Sequence, residues 1–294
     1  MFSEHKHRFL CLYILLTAVT LFTIPDISRG ESSDAYSFLT IAYGQDSNDG
    51  SNAYLVADFS SATGPRALLV SGRSKSVSSN TTITTSTFIA GLYNNPGSRF
   101  EFGLDYRYWG NESEINTDTY RLTLGWRADD FSIRILPQYR PITLYTTGLF
   151  AIRRRPTIEI DSTGLGLEFD YYGLAPLYIS LSYLKNEYDG DVSRLATEKF
   201  VRFIFSPDTL DLASGFEKDR VSVDAGLDFK IFSPGLEWLR SRSAVDGAEV
   251  IVKSVYLITR LSRSWTLDLR LGIQELSVTA DKLKIASAGL SYYW

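Results

Sequence analysis

From residue 35 to its end, the chain alternates apolar and polar residues in short stretches separated by turn-forming residues. Residues 99–108 put Phe100, Phe102, Leu104, Tyr106 and Tyr108 on one side and Arg99, Glu101, Gly103, Asp105 and Arg107 on the other. Residues 120–127 set Tyr120, Leu122, Leu124 and Trp126 against Arg121, Thr123, Gly125 and Arg127. Residues 220–231 set Val221, Val223, Ala225, Leu227, Phe229 and Ile231 against Arg220, Ser222, Asp224, Gly226, Asp228 and Lys230. Residues 265–274 set Trp265, Leu267, Leu269, Leu271 and Ile273 against Thr266, Asp268, Arg270, Gly272 and Gln274. A period of two is the signature of an extended strand whose faces meet different surroundings, and no stretch carries a helical period. Weaker alternation marks strands at 36–45, 53–59, 66–74, 82–93, 131–145, 165–172, 177–188, 198–205, 236–242 and 250–261. The chain therefore reads as all-β, with no composition shift to mark a domain boundary.

The two ends decide which solvent each face meets. Residues 1–30 carry a charged start, His5-Lys6-His7-Arg8, then an apolar run over residues 9–24, then small residues at Ser28 and Gly30 ahead of Glu31. That is the pattern of a cleaved secretory signal, and its apolar run is shorter than the roughly 20 residues of a spanning helix. Cys11 sits too early for a lipoprotein anchor and follows Leu10 rather than a small residue. The mature chain, residues 31–294, has no uncharged apolar run of comparable length. If it stays in a membrane it must do so as a closed barrel, because lipid offers backbone N–H and C=O groups no partners.

At the other end, Ala286, Ala288, Leu290, Tyr292 and Trp294 share a face opposite Ile285, Ser287, Gly289, Ser291 and Tyr293. A terminal aromatic, an aromatic two residues earlier and alternating apolar positions before it resemble the C-terminal assembly signal of Gram-negative outer-membrane β-barrel proteins. The resemblance implies a transmembrane antiparallel up-and-down β-barrel in the bacterial outer membrane. It implies that Leu290, Tyr292 and Trp294 are offered to the barrel-assembly machinery, and that lipid and lipopolysaccharide surround the wall. Aromatics near strand ends (Tyr108, Trp109, Trp126, Tyr171, Tyr172, Trp265, Trp294) fit the interfacial girdles of such barrels.

With the terminal stretch, 15 strands can be counted, and bacterial single-chain barrels have even numbers. About 16 strands is the expectation and 14 the alternative. A sixteenth could lie at 151–161, because Ile158 and Ile160 have the opposite parity to Leu165, Leu167 and Phe169, as a turn or bulge at 161–164 would produce. It could also lie at 209–214. The connections 94–97, 128–130, 233–235 and 262–264 are tight and are placed on the periplasmic side. The longer, polar 46–52, 74–81, 110–118, 245–249 and 277–282 are placed outside.

Composition narrows the function. The formal net charge is −4, and without Lys6, Arg8, Arg29, Glu4 and Asp26 of the signal segment, 27 basic residues face 32 acidic ones. That is not the balance of a nucleic-acid-binding protein. Both histidines and the one cysteine lie in residues 1–30, so the mature chain has no disulfide and lacks the commonest general base and metal ligand. No zinc spacing, phosphate loop or dinucleotide fingerprint is present. Asp46-Ser47-Asn48-Asp49-Gly50 lacks the spacing and closing Glu of a calcium loop and reads as a turn. Ser182 and Lys185 match a serine–lysine spacing that works on a helix, but on a strand they point to opposite faces. Arg153-Arg154-Arg155 reads as a solvated loop or strand end. No catalytic residue, cofactor or metal is expected.

The inward faces carry the charge. Arg99, Arg107, Arg121, Arg127, Arg134 and Arg140 fall on three consecutive strands, with Glu101 and Asp105 among them. Glu168, Asp170, Asp224, Asp228, Asp268 and Arg270 follow further along. A lumen lined this way would bias which solutes pass. The same residues could instead form salt bridges that hold the barrel shut. The expected function is a passive porin-like channel for small hydrophilic solutes, and the alternative is a non-conducting structural or interaction barrel.

Overall fold

The computed structural model describes residues 37–60, 64–77, 82–94, 98–111, 115–145, 157–192, 216–277 and 282–294. Their strands form one closed antiparallel barrel of 14, each paired with its sequence neighbours, with the last strand paired to the first. The strands are β1 (Phe38–Asp46), β2 (Ser51–Ser60), β3 (Arg66–Val77), β4 (Thr82–Tyr93), β5 (Phe100–Gly110), β6 (Ile115–Arg127) and β7 (Phe131–Tyr145). They continue as β8 (Thr157–Leu174), β9 (Leu177–Tyr188), β10 (Glu217–Leu227), β11 (Phe232–Ser243), β12 (Glu249–Arg260), β13 (Trp265–Leu276) and β14 (Lys282–Tyr293). Closure leaves no strand without a neighbour on either side, so along the paired stretches the ladder satisfies the backbone.

The lower of the two even counts is the one adopted, for two reasons. The stretch 198–205 lies outside the described residues, and β9 pairs directly with β10, so the wall closes without it. The same holds for 209–214. Second, the parity change near residue 161 is not a turn. β8 runs unbroken from Thr157, in constant register with β7 from Tyr145↔Thr157 to Phe131↔Tyr171. Ile158 and Ile160 are apolar residues that point inward, while Leu165 and Leu167 are exposed on the outer face. Residues 151–156 lie outside the described residues.

The connections after even-numbered strands, two to six residues each, share one end of the barrel with Tyr293, since Phe38 pairs with Tyr293, and this is the short-turn end. Those after odd-numbered strands share the other, long-loop end; the connections after β7 and β9 are long, whereas those after β1, β3 and β5 are four residues each, shorter than the expected 46–52, 74–81 and 110–118 because the strands run further into them. One expected turn moves: Ser233, Pro234 and Gly235 lie within β11, paired with β12, and the turn is at 228–231. Pro234 is tolerated because the pairing of β11 with β10 begins only at Gly235↔Gly226, so the missing N–H breaks no ladder bond on that side.

The outer face is apolar. Ile41, Leu55, Phe102, Leu104, Leu122, Ile135, Leu167, Leu236, Val255, Leu271 and Leu290 are all exposed there. An exposed apolar belt around a closed barrel is costly in water and suits hydrocarbon. At the short-turn end its rim is aromatic. Trp265 lies 4.9 Å from Tyr292, Trp126 5.4 Å from Phe131, Tyr292 5.9 Å from Trp294 and Phe59 6.2 Å from Trp294. Trp109 does not join a rim: it sits on the inward face, against the apolar cluster described below.

Candidate functional site: the barrel interior

The interior has three zones along the axis. The zone nearest the short turns is a chamber of about 680 Å³, lined by the polar and charged side chains of Arg127, Ser132, Arg134, Asp170, Ser180, Asp224 and Arg270 and by Tyr171, Tyr172, Tyr178, Ile179, Tyr256 and Ile258. Arg134 of β7 is its hub. Its Nε donates to Glu101 at 2.7 Å, two strands away, its Nη1 to Asp170 at 2.5 Å, and Glu168 lies 3.7 Å off. Ser180 and Ser132 also donate to Asp170, at 2.7 and 3.0 Å. Arg127 stands 3.9 Å from Glu101. Arg270 pairs with Glu237 and lies over the Tyr256 ring at 5.2 Å. The Tyr256 hydroxyl donates to Asp224 at 2.7 Å and meets the hydroxyl of Tyr178. Asp268 has a buried oxygen, Oδ1, with no hydrogen-bond donor among the described residues.

Inward glycines shape this chamber. A Cβ on Gly235 would stand 2.2 Å from the Tyr256 ring and one on Gly226 2.6 Å from Tyr178; outside the chamber, one on Gly103 would stand 2.1 Å from Tyr93. Each tyrosine lies flat over a neighbouring strand's glycine, which keeps the ring against the wall and out of the lumen.

The middle zone, here called the waist, holds a second cavity of about 40 Å³ against the wall of β5 to β10, lined by Arg107, Arg121, Gln138, Gly166, Glu168, Ser182 and Arg220 among others. Here Asp105, 1% exposed, holds two guanidiniums: Arg107 through Nε at 2.6 Å and Arg121 through Nε at 2.9 Å. The Tyr93 hydroxyl lies 3.2 Å from the same carboxylate. Arg140 is buried at 8% exposure beside this zone.

The third zone, at the long-loop end, is apolar. Ile83, Ile115, Ile142, Leu144, Val192, Phe216 and Val245 form a buried cluster, with Trp109, Ile158, Ile160 and Tyr188 packed on it. Ile115 and Leu144 are wholly buried. The cluster draws on β4 to β9 and on residues flanking β10 and β12, so it occupies one side of the mouth. At the same end of β1, β2, β3 and β13, the inward residues include Gly44, Asn52, Ser74 and Gln274.

The charged residues singled out in the sequence mostly share the inward face, but not as a basic wall opposite an acidic one. Glu101 and Asp105 neutralise arginines beside them, and Asp170 reaches Arg134 on the adjacent strand. Arg99 and Asp228 lie exposed in short turns, Asp228 accepting from Ser233 at 2.7 Å. Sequence reasoning missed Glu237 and the pair Asp58–Arg66 at 2.5 Å, whose parity within β11, β2 and β3 marks them as inward. It also missed Glu217, which accepts from Ser241 at 2.8 Å and sits at a register shift that parity alone does not reveal.

No protein-family model matches the chain, and no curated protein matches its sequence. Solved structures do resemble it. One is a loop-deletion mutant of OmpT, an outer membrane protein of Vibrio cholerae, at 10% identity and TM-score 0.48, covering 89% of this chain and 98% of that one. Another is the KdgM porin, in complex with disordered oligogalacturonate, at 12% identity and TM-score 0.44, covering 87% and 98%. A third is a BenF-like porin from Pseudomonas fluorescens, at 8% identity and TM-score 0.44, covering 90% and 99%. The likeness is one of outer-membrane barrel architecture.

Proposed function

We propose that the protein is a porin-like channel for small hydrophilic solutes in the outer membrane of a Gram-negative bacterium. The observation that carries this is the chamber of about 680 Å³ inside a closed barrel whose outer face is apolar. Water fills a chamber lined by guanidiniums, carboxylates and hydroxyls, and solutes that keep some of their hydration bonds there can cross. Residues 1–30 are removed on export, the C-terminal strand with Leu290, Tyr292 and Trp294 engages the assembly machinery, and lipid and lipopolysaccharide cover the wall. The arginines and carboxylates of the lumen set solute preference.

The apolar cluster in the long-loop mouth favours a second reading, a non-conducting structural or interaction barrel. The two separate on conductance. The barrel is purified from membranes and placed in a planar bilayer beside Arg127→Ala, which touches the chamber. Stepwise conductance with an ion preference shifted in the variant supports the channel. A folded barrel that passes no current supports the second reading. Membrane fractionation tests the location: extraction only by detergent, with a mature chain starting at Glu31, is expected, and free release into the periplasm would contradict it.

A further inference from the structure

The waist carries more positive charge than its carboxylates neutralise. Arg107 and Arg121 share a single buried acid, Asp105, and each reaches it through Nε alone. The terminal nitrogens of both guanidinium forks have no hydrogen-bond partner among the described residues. Arg220, from β10, comes no closer than 3.9 Å to Glu217, whose Oε1 already accepts from Ser241. The other carboxylate of this cavity, Glu168, stands 3.7 Å from Arg134. Three guanidiniums from β5, β6 and β10 thus line one small cavity whose one lining carboxylate is Glu168, while Asp105 lies between Arg107 and Arg121 and is committed to both.

Such an arrangement is costly when empty of counter-charge. Half-buried like charges repel each other, and two guanidiniums that share one carboxylate leave a positive charge partly withdrawn from water. Guanidinium forks with free terminal nitrogens match the two oxygens of a carboxylate or phosphate, which a spherical ion cannot do. At about 40 Å³ the cavity takes the head of an anion and not a whole solute. Gly166 in its floor presents no side chain, while Gln138 and Ser182 add neutral polar groups.

We propose that the waist is an anion-binding site in which Arg107, Arg121 and Arg220 hold a carboxylate or phosphate group. That this group belongs to a solute in transit rests on the channel reading above; the site itself does not.

The test is calorimetric titration of the barrel, purified from membranes in detergent, with sodium acetate and with sodium phosphate. Sodium chloride at matched ionic strength is the control. Arg107→Gln leaves Arg121 and Asp105 as a balanced pair, so it keeps the fold, and Arg220→Gln removes a half-exposed group. Saturable binding of at least one of the two oxyanions is expected, with Kd raised about tenfold or more in each variant, the loss of one charge-assisted contact. Acetate binding alone assigns a carboxylate site and phosphate binding alone a phosphate site. No saturable binding by the folded barrel, an equal response to chloride, or unchanged affinity in either variant overturns the proposal. Because binding in detergent needs no conduction, an oxyanion-binding barrel that passes no current would sink the channel reading and leave the site standing.

Discussion

Asp105 concentrates the electrostatics of the barrel in one side chain. It is buried, it accepts from two arginines, and a tyrosine hydroxyl sits beside it. Asp105→Ala leaves two half-buried guanidiniums without their acid, and loss of one partner from such a buried group costs about 3–5 kcal/mol. Urea unfolding monitored by tryptophan fluorescence is expected to show that loss. Arg107→Gln, by contrast, is expected to cost far less, because one arginine and one carboxylate remain. Equal losses would mean that the second arginine is as necessary as the acid. These pairings were only partly legible in the sequence. Alternation placed Glu101, Asp105, Arg121 and Arg134 on one face, and Asp105↔Arg121 are direct cross-strand neighbours. The contacts of Arg134 with Glu101 and of Arg270 with Glu237 skip a strand, and only the closed register brings those residues together.

For the strands, alternation read well wherever one face met lipid. The bounds of β4, β7 and β9 follow directly from it, since branched and aromatic residues on one face end where Gly, Pro, Asn or Asp begins. It failed where the interior is apolar. Ile158 and Ile160 imitate an outward face, and so split β8 in a reading that equates apolar with outside. Ile142 and Leu144 in β7 do the same without breaking the strand. The glycines opposite tyrosines make an element-level prediction. In Gly235→Val the new side chain overlaps the Tyr256 ring, so the ring must swing into the chamber and release Asp224. A reduced conductance with near-native stability is expected, and an unchanged conductance would mean that the ring does not border the path. On the outer face, Leu271 sits mid-strand in β13 and is exposed. Leu271→Arg is expected to cost about 2–4 kcal/mol in lipid vesicles, the depth-dependent cost of a cation at the bilayer midplane. A cost near zero by urea titration in vesicles would place that face in water.

Taken together, the zones make a barrel that is asymmetric along its axis and across its long-loop mouth. The chamber near the short turns is lined by charged groups and tyrosines, the waist is arginine-rich, and the apolar cluster fills the side built from β4 to β9. The fold class was readable because closure follows from export, alternation and the lack of a spanning helix. The division of the interior was not, because it depends on which inward residues share a height.

The measurement to make first is single-channel conductance of the barrel purified from membranes, with Arg127→Ala beside it and folding confirmed by heat-modifiable migration. Stable steps in the unaltered barrel, with an ion preference altered in Arg127→Ala, are the predicted result. Silence from both folded proteins would contradict a channel and leave a closed structural barrel in its place.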